Sequence, residues 1–108
     1  MISVEIQKNR NEKYVGFCCE GHAEYDAYGK DIVCASVSVL VLNAVNSIEA
    51  LTKCPMKVKV KKDGDIKVTF PETADDKAEF LVDSMILGLN SILESYGDTY
   101  LTIVMKEV

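Results

Sequence analysis

Ile2, Val4 and Ile6 alternate with Ser3, Glu5 and Gln7, a pattern that predicts a half-buried strand. Asn9 to Glu12 is turn sequence, because Asn tolerates turn backbone angles. Tyr14 to Cys19 predicts a second strand with Val15, Phe17 and Cys19 on one face, so the two strands should form a hairpin. Then the period disappears. Gly21 to Lys30 is polar, holds Gly21 and Gly29, and reads as a loop. From Asp31 a helix is expected to run to about Leu51. Ile32, Val33, Val37, Val39, Leu40, Val41, Leu42, Val45 and Ile48 make it apolar nearly all round. Such a helix is buried on most sides, either by its own fold or by a second subunit. Asp31 suits the N-cap, where a carboxylate accepts from unpaired backbone N–H groups.

Lys53-Cys54-Pro55 ends that helix. Met56 to Lys62 sets Lys57, Lys59 and Lys61 against Val58 and Val60, predicting a strand with one wet, basic face. Asp63-Gly64 signals a tight hairpin turn, and Ile66, Val68 and Phe70 form the return strand. Asp75 and Asp76 favour the positive end of a second helix. Its expected apolar stripe is Leu81, Met85, Leu89 and Ile92, widened by Phe80, Ile86 and Leu93. Tyr96-Gly97-Asp98 closes it, and Thr99 to Lys106 is a last strand. The expected fold is α+β: one mostly antiparallel sheet of about five strands with two helices, in the order ββαββαβ. The first helix should be the more buried, and residues 1–108 should form a single domain.

Composition narrows the function. Hydrophobic residues make up 48% of the 108, enough for a packed core. Twelve basic against 17 acidic residues give a net charge of −5. That balance argues against direct nucleic-acid binding, which needs clustered Lys and Arg, and favours a basic protein or peptide partner. The opening Met-Ile-Ser-Val-Glu-Ile has neither the basic nor the apolar region of a secretion signal. The apolar run Ile32 to Val45 reads as too short to span a bilayer. Cys18, Cys19, Cys34 and Cys54 lack the spacing of a disulfide-stapled module. Reduced thiols, a cytoplasmic location and no membrane contact are therefore expected.

The chemistry gathers between Glu20 and Leu40. Cys34 falls in the first turn of a helix, where unpaired N–H groups and the helix dipole favour a thiolate. His22, the single histidine of the chain, opens the preceding loop and can take a thiol proton. Asp31 opposes a thiolate by its charge, and a protonated His22 would outweigh it. N–H groups of the same turn are candidates for holding an oxyanion. Ser38, four residues after Cys34, shares its helix face. Gly21 and Gly29 are candidate hinges of a lid that carries Glu24, Tyr25, Asp26 and Tyr28. Each feature also has a plainer reading: Cys34 as a small core residue, His22 as a surface histidine, the loop as merely solvated. A zinc site on Cys18, Cys19, His22 and Cys34 is disfavoured, because adjacent strand residues point to opposite faces. No metal or cofactor is expected, and Cys54 reads as structural.

Gly21-His22-Ala23, Tyr25 and Gly29, then Asp31-Ile32-Val33-Cys34-Ala35 with Ser36 and Ser38, resemble the ribosomal-processing cysteine protease (Prp) family. The resemblance runs over the whole chain, and the separation of His22 from Cys34 by twelve positions (34 − 22) is part of it. It implies a bacterial cytoplasmic endopeptidase that removes an N-terminal extension, apolar and ending in aromatics, from a large-subunit ribosomal protein. It also implies that Cys34 is the nucleophile, His22 the base, Asp31 a nearby orienting or capping acid, and that the protein is a homodimer. Glu24, Asp26 and Ala27 take no role from the family. A reading of another class is a non-catalytic ribosome-assembly module that holds a basic ribosomal protein.

Overall fold

A computed structural model describes residues 1–23, 25–26 and 31–108. The elements follow the expected order: β1 (Ile2–Lys8), β2 (Tyr14–Glu20), α1 (Ile32–Leu51), β3 (Lys57–Val60), β4 (Ile66–Thr69), α2 (Asp76–Tyr96) and β5 (Leu101–Glu107). The five strands form one mixed sheet in the order β3-β4-β2-β1-β5. Only β5, which lies along β1, pairs in parallel; the other pairings are antiparallel.

Register explains the core. Val4 sits opposite Cys19 and Ile6 opposite Phe17 across the β1–β2 hairpin. Phe17 and Cys19 in turn face Val68 and Ile66 of β4. With a side-chain period of two, this puts Ile2, Val4, Ile6, Phe17, Ile66 and Val68 on one face of the sheet. They join Val33, Val37, Val41 and Ile48 of α1 and Val82, Met85 and Leu89 of α2 in a single apolar cluster. Each such side chain contributes about 1.5–3 kcal/mol by leaving water. The helices close on each other where Leu40 lies over Gly88. A Cβ on Gly88 would come within 2.8 Å of the Leu40 side chain.

Four expectations are sharpened or corrected. First, of the two covers expected for α1, the chain's own fold supplies one stripe only. Val33, Val37, Val41, Ala44, Val45 and Ile48 form its buried stripe, whereas Val39 is 65% exposed and Leu42 44%. Second, α1 is long and apolar enough, by length and composition alone, to cross a membrane. In this fold its buried stripe is instead part of the core cluster. Third, the stripe of α2 holds at Met85, Leu89 and Ile92, with Leu81, Ile86 and Leu93 packed at its margins, but it also takes in Ala78 and Val82 and leaves out Phe80, which is 74% exposed. Fourth, β3 has no dry face: all four of its residues are exposed on an edge strand. Lysines on such an edge discourage pairing with another chain.

Candidate active site

The nucleophile candidate is placed by a helix start. Asp31 caps α1 with extended backbone, and its Oδ1 accepts from the Cys34 N–H at 2.9 Å. Its carbonyl accepts from Ala35 N–H at 3.0 Å. Cys34 is therefore the third residue of α1, half-buried, with its side chain in a cavity of about 520 Å³. Ser38, one turn further on, also lines that cavity.

The cap has a chemical consequence. Burial of Asp31 pulls its carboxyl upward, but hydrogen bonds from the backbone N–H groups of Cys34, Tyr25, Asp26 and Val33 outweigh this and hold it below the usual carboxylate value. Of the first-turn N–H groups suggested as oxyanion donors, that of Cys34 is thus already engaged by Asp31.

The partner imidazole comes from the end of β2. The chain leaves the sheet at Gly21, whose φ is +89°. A Cβ there would lie 2.4 Å from the Met1 carbonyl oxygen, so both backbone angle and space demand glycine. His22 follows, and its Nδ1 lies 3.7 Å from Cys34 Sγ. For Nδ1 to accept the thiol proton, the neutral ring must carry its own proton on Nε2. Ala23 is buried behind it. Tyr25 N–H donates to Asp31 Oδ2 at 3.0 Å, and the Tyr25 ring stands edge-on to Tyr96 and Tyr100 at centroid distances of 5.4 and 5.0 Å. Tyr25 is thus tied back to the helix cap, to the end of α2 and to the residue before β5.

Of the expected site residues, the cavity brings together Gly21, His22, Asp31, Cys34 and Ser38. Gly29, the second hinge candidate, lies outside the described residues, as do Glu24 and Tyr28. Among the other residues of the cavity wall, Cys19, Asp63 and Asp65 carry titratable groups that the expected site did not include. Asp65 Oδ1 accepts from Gly21 N–H at 3.1 Å. The β4 register contains the signal. Cys19 pairs with Ile66, so one further step along two antiparallel strands brings Asp65 to the end of β2. Burial, followed by the nearby charges of Asp65 and Cys34, pushes the Cys19 thiol up to about 11. Cys18 is not on the cavity wall; it pairs with Glu5 and Lys67, one residue out of phase with Cys19. Among the described residues no group of three or more His, Cys, Asp or Glu is arranged to hold a metal ion.

A thiol at a helix start, facing an imidazole across a cleft in an α+β domain, is the arrangement of a cysteine-dependent enzyme. The comparisons carry this further. The sequence profile of the family described as "Cysteine protease Prp" matches residues 1–101. The ribosomal processing cysteine protease Prp of Staphylococcus aureus is 31% identical over 99 residues, covering 91% of this chain and 93% of that protein. Its Bacillus subtilis counterpart is 32% identical over 103 residues, covering 91% and 92%. The crystal structure of S. aureus Prp with a covalently linked product peptide matches with a TM-score of 0.91 at 30% identity, over 98% of this chain and 100% of that one. The same protease with a substrate peptide matches with a TM-score of 0.85 at 29% identity, over the same shares. This chain belongs to the cysteine protease Prp family and is a cysteine protease.

Proposed function

We propose that this protease removes the N-terminal extension of a large-subunit ribosomal protein during ribosome maturation, with Cys34 as nucleophile and His22 as base and proton donor. The observation that carries the chemistry is the 3.7 Å approach of His22 Nδ1 to Cys34 Sγ inside a cavity large enough for a peptide segment. The substrate class is supported by relatives named ribosomal processing proteases and by a similar structure that holds a covalently linked product peptide.

The steps follow from the geometry. The thiol proton passes to Nδ1, and Sγ attacks the scissile carbonyl carbon. The C–N bond breaks as the imidazolium returns that proton to the leaving amine. The amine is the new N-terminus of the shortened ribosomal protein. Water, deprotonated by His22, then splits the thioester, releasing the extension as a carboxylate and restoring the thiol. No metal or cofactor is required by these steps. Asp31 orients the start of the helix and the loop.

The protein acts in the cytoplasm as a homodimer, without direct nucleic-acid or membrane contact. Dimerisation is supported by Ala35, Val39 and Leu42, which run along an uncovered face of α1 that begins at the cavity. Sedimentation equilibrium tests it: a monomer at micromolar concentration removes this part of the proposal.

The deciding experiment incubates the protein with the extended ribosomal protein, beside Cys34→Ala, and reads product masses. A single cut that removes the extension, absent in the variant, is expected. Full-length substrate after exposure to well-folded wild-type protein refutes the substrate assignment.

A further inference from the structure

We infer that Asp65 is a positioning residue: by holding the Gly21 N–H, its carboxylate sets His22 opposite Cys34. This rests on reading Cys34 and His22 as the reacting pair.

The two residues are 44 positions apart in the chain and meet because β4 pairs with β2. Gly21 is where the backbone turns out of the sheet at φ +89°, pressed against Met1 so that no larger residue fits. A glycine at such a corner is a soft pivot on its own. Its N–H is aimed at Asp65 Oδ1 at 3.1 Å, and the next residue is His22. On the other side of His22, Tyr25 N–H is held by Asp31 at 3.0 Å. Gly21 and Tyr25, on either side of His22, are therefore each held by a carboxylate from a different element. One is on the helix cap and one on the β3–β4 hairpin.

The Asp65 side chain is not needed to close its own hairpin. That closure is made by the backbone: Lys61 N–H donates to the Asp65 carbonyl at 2.8 Å, and Gly64 N–H donates to the Lys61 carbonyl at 3.0 Å. Asp65 is half-buried and lines the cavity beside Cys19, whose strand partner is Ile66. The carboxylate thus reaches the cleft rather than turning to solvent. Releasing Gly21 should cost rate rather than fold, because a misplacement of about 1 Å at a reacting group can cost about 100-fold.

The test compares Asp65→Ala and Asp65→Asn in two assays. In peptide-bond cleavage, Asp65→Ala should lower kcat by about 10- to 100-fold with KM changed by less than about twofold, the signature of lost positioning. Asp65→Asn should recover most of that loss, since its side-chain oxygen still accepts a hydrogen bond. The second assay does not need proteolysis. It follows alkylation of Cys34 by iodoacetamide against pH, with the modified residue located by mass. Cys19, with its thiol pushed up to about 11, stays protonated near neutral pH and does not compete. The profile of Asp65→Ala should move toward that of His22→Ala, and Asp65→Asn should stay near wild type. Three results each overturn the inference: unchanged kcat in Asp65→Ala, an Asp65→Asn variant as poor as Asp65→Ala, or an Asp65→Ala alkylation profile that overlays wild type. If wild-type protein cleaves nothing, the ribosomal-protease reading fails, and the alkylation profiles still decide whether Asp65 sets His22 against Cys34.

Discussion

The two sides of the cleft are built differently. Cys34 rides on α1, one residue after Val33 and three before Val37, both essentially without exposure in the core. Its position is set by a helix that cannot shift without disturbing the whole apolar cluster. His22 is exposed, and its segment is held by the Gly21 N–H to Asp65 and the Tyr25 N–H to Asp31. Hydrogen bonds of this kind contribute about 1 kcal/mol each, against several kcal/mol for the apolar anchors of the helix. The thiol is therefore the fixed partner and the imidazole the adjustable one. Changes on the helix side should appear in stability, and changes on the loop side in rate.

The strongest way to break that contrast is Gly21→Ala. The new Cβ would sit 2.4 Å from the Met1 carbonyl oxygen at φ +89°. Forcing an L-residue there costs about 1–3 kcal/mol, relieved only if the segment moves. Because His22 is next, kcat should fall by about 100-fold or more, well beyond the effect of the stability loss. Near-normal kcat would mean that the site tolerates a displaced imidazole, and the contrast would be lost. Val41→Ala is the helix-side counterpart. Val41 is fully buried and lies two turns from Cys34. Losing its two methyl groups should cost about 2 kcal/mol, read as a lower denaturant midpoint at unchanged slope. The kcat of the folded fraction should stay within about twofold of wild type, since a kcat loss signals a lost transition-state interaction.

Much of this was legible in the chain itself, and what was missed has a common cause. Asp31 and Asp75 mark their helix starts because a carboxylate cap is a local device, complete within four residues. The His22–Cys34 pairing could be read because both residues flank a single loop. Asp65 could not, because its role depends on which strand β4 joins, and periodicity says which residues share a face but not which strands are neighbours. The parallel pairing of β5 with β1 was hidden for the same reason. The first turns of the α2 stripe were ambiguous because Phe80, Leu81 and Val82 are consecutive apolar residues. Only the sheet beneath decides that Val82 points in and Phe80 out. The over-apolar face of α1 was visible, and of the two covers it called for, its own fold or a second subunit, the fold leaves Val39 and Leu42 exposed.

Asp31 offers the finest test, because it serves both sides at once. Its Oδ1 caps the helix beneath Cys34, and its Oδ2 holds Tyr25. Asp31→Ala removes both and should cost about 1 kcal/mol, the usual worth of an N-cap. Thermal unfolding should register this as a fall of about 5 °C for a domain of this size. The carboxyl is held below its ordinary value in the folded protein, so its stabilisation is fully present above about pH 4 and is lost as pH falls through the folded value. The gap between wild type and Asp31→Ala should therefore narrow in acid. Asp31→Ser then separates the two roles. A serine hydroxyl caps a helix about as well as a carboxylate, but its single oxygen is committed to Cys34 N–H and leaves Tyr25 untied. Stability should return to within about 0.5 kcal/mol of wild type, while kcat stays close to that of Asp31→Ala. If serine restores both, the tie to Tyr25 does not position His22, and the helix cap alone accounts for the aspartate.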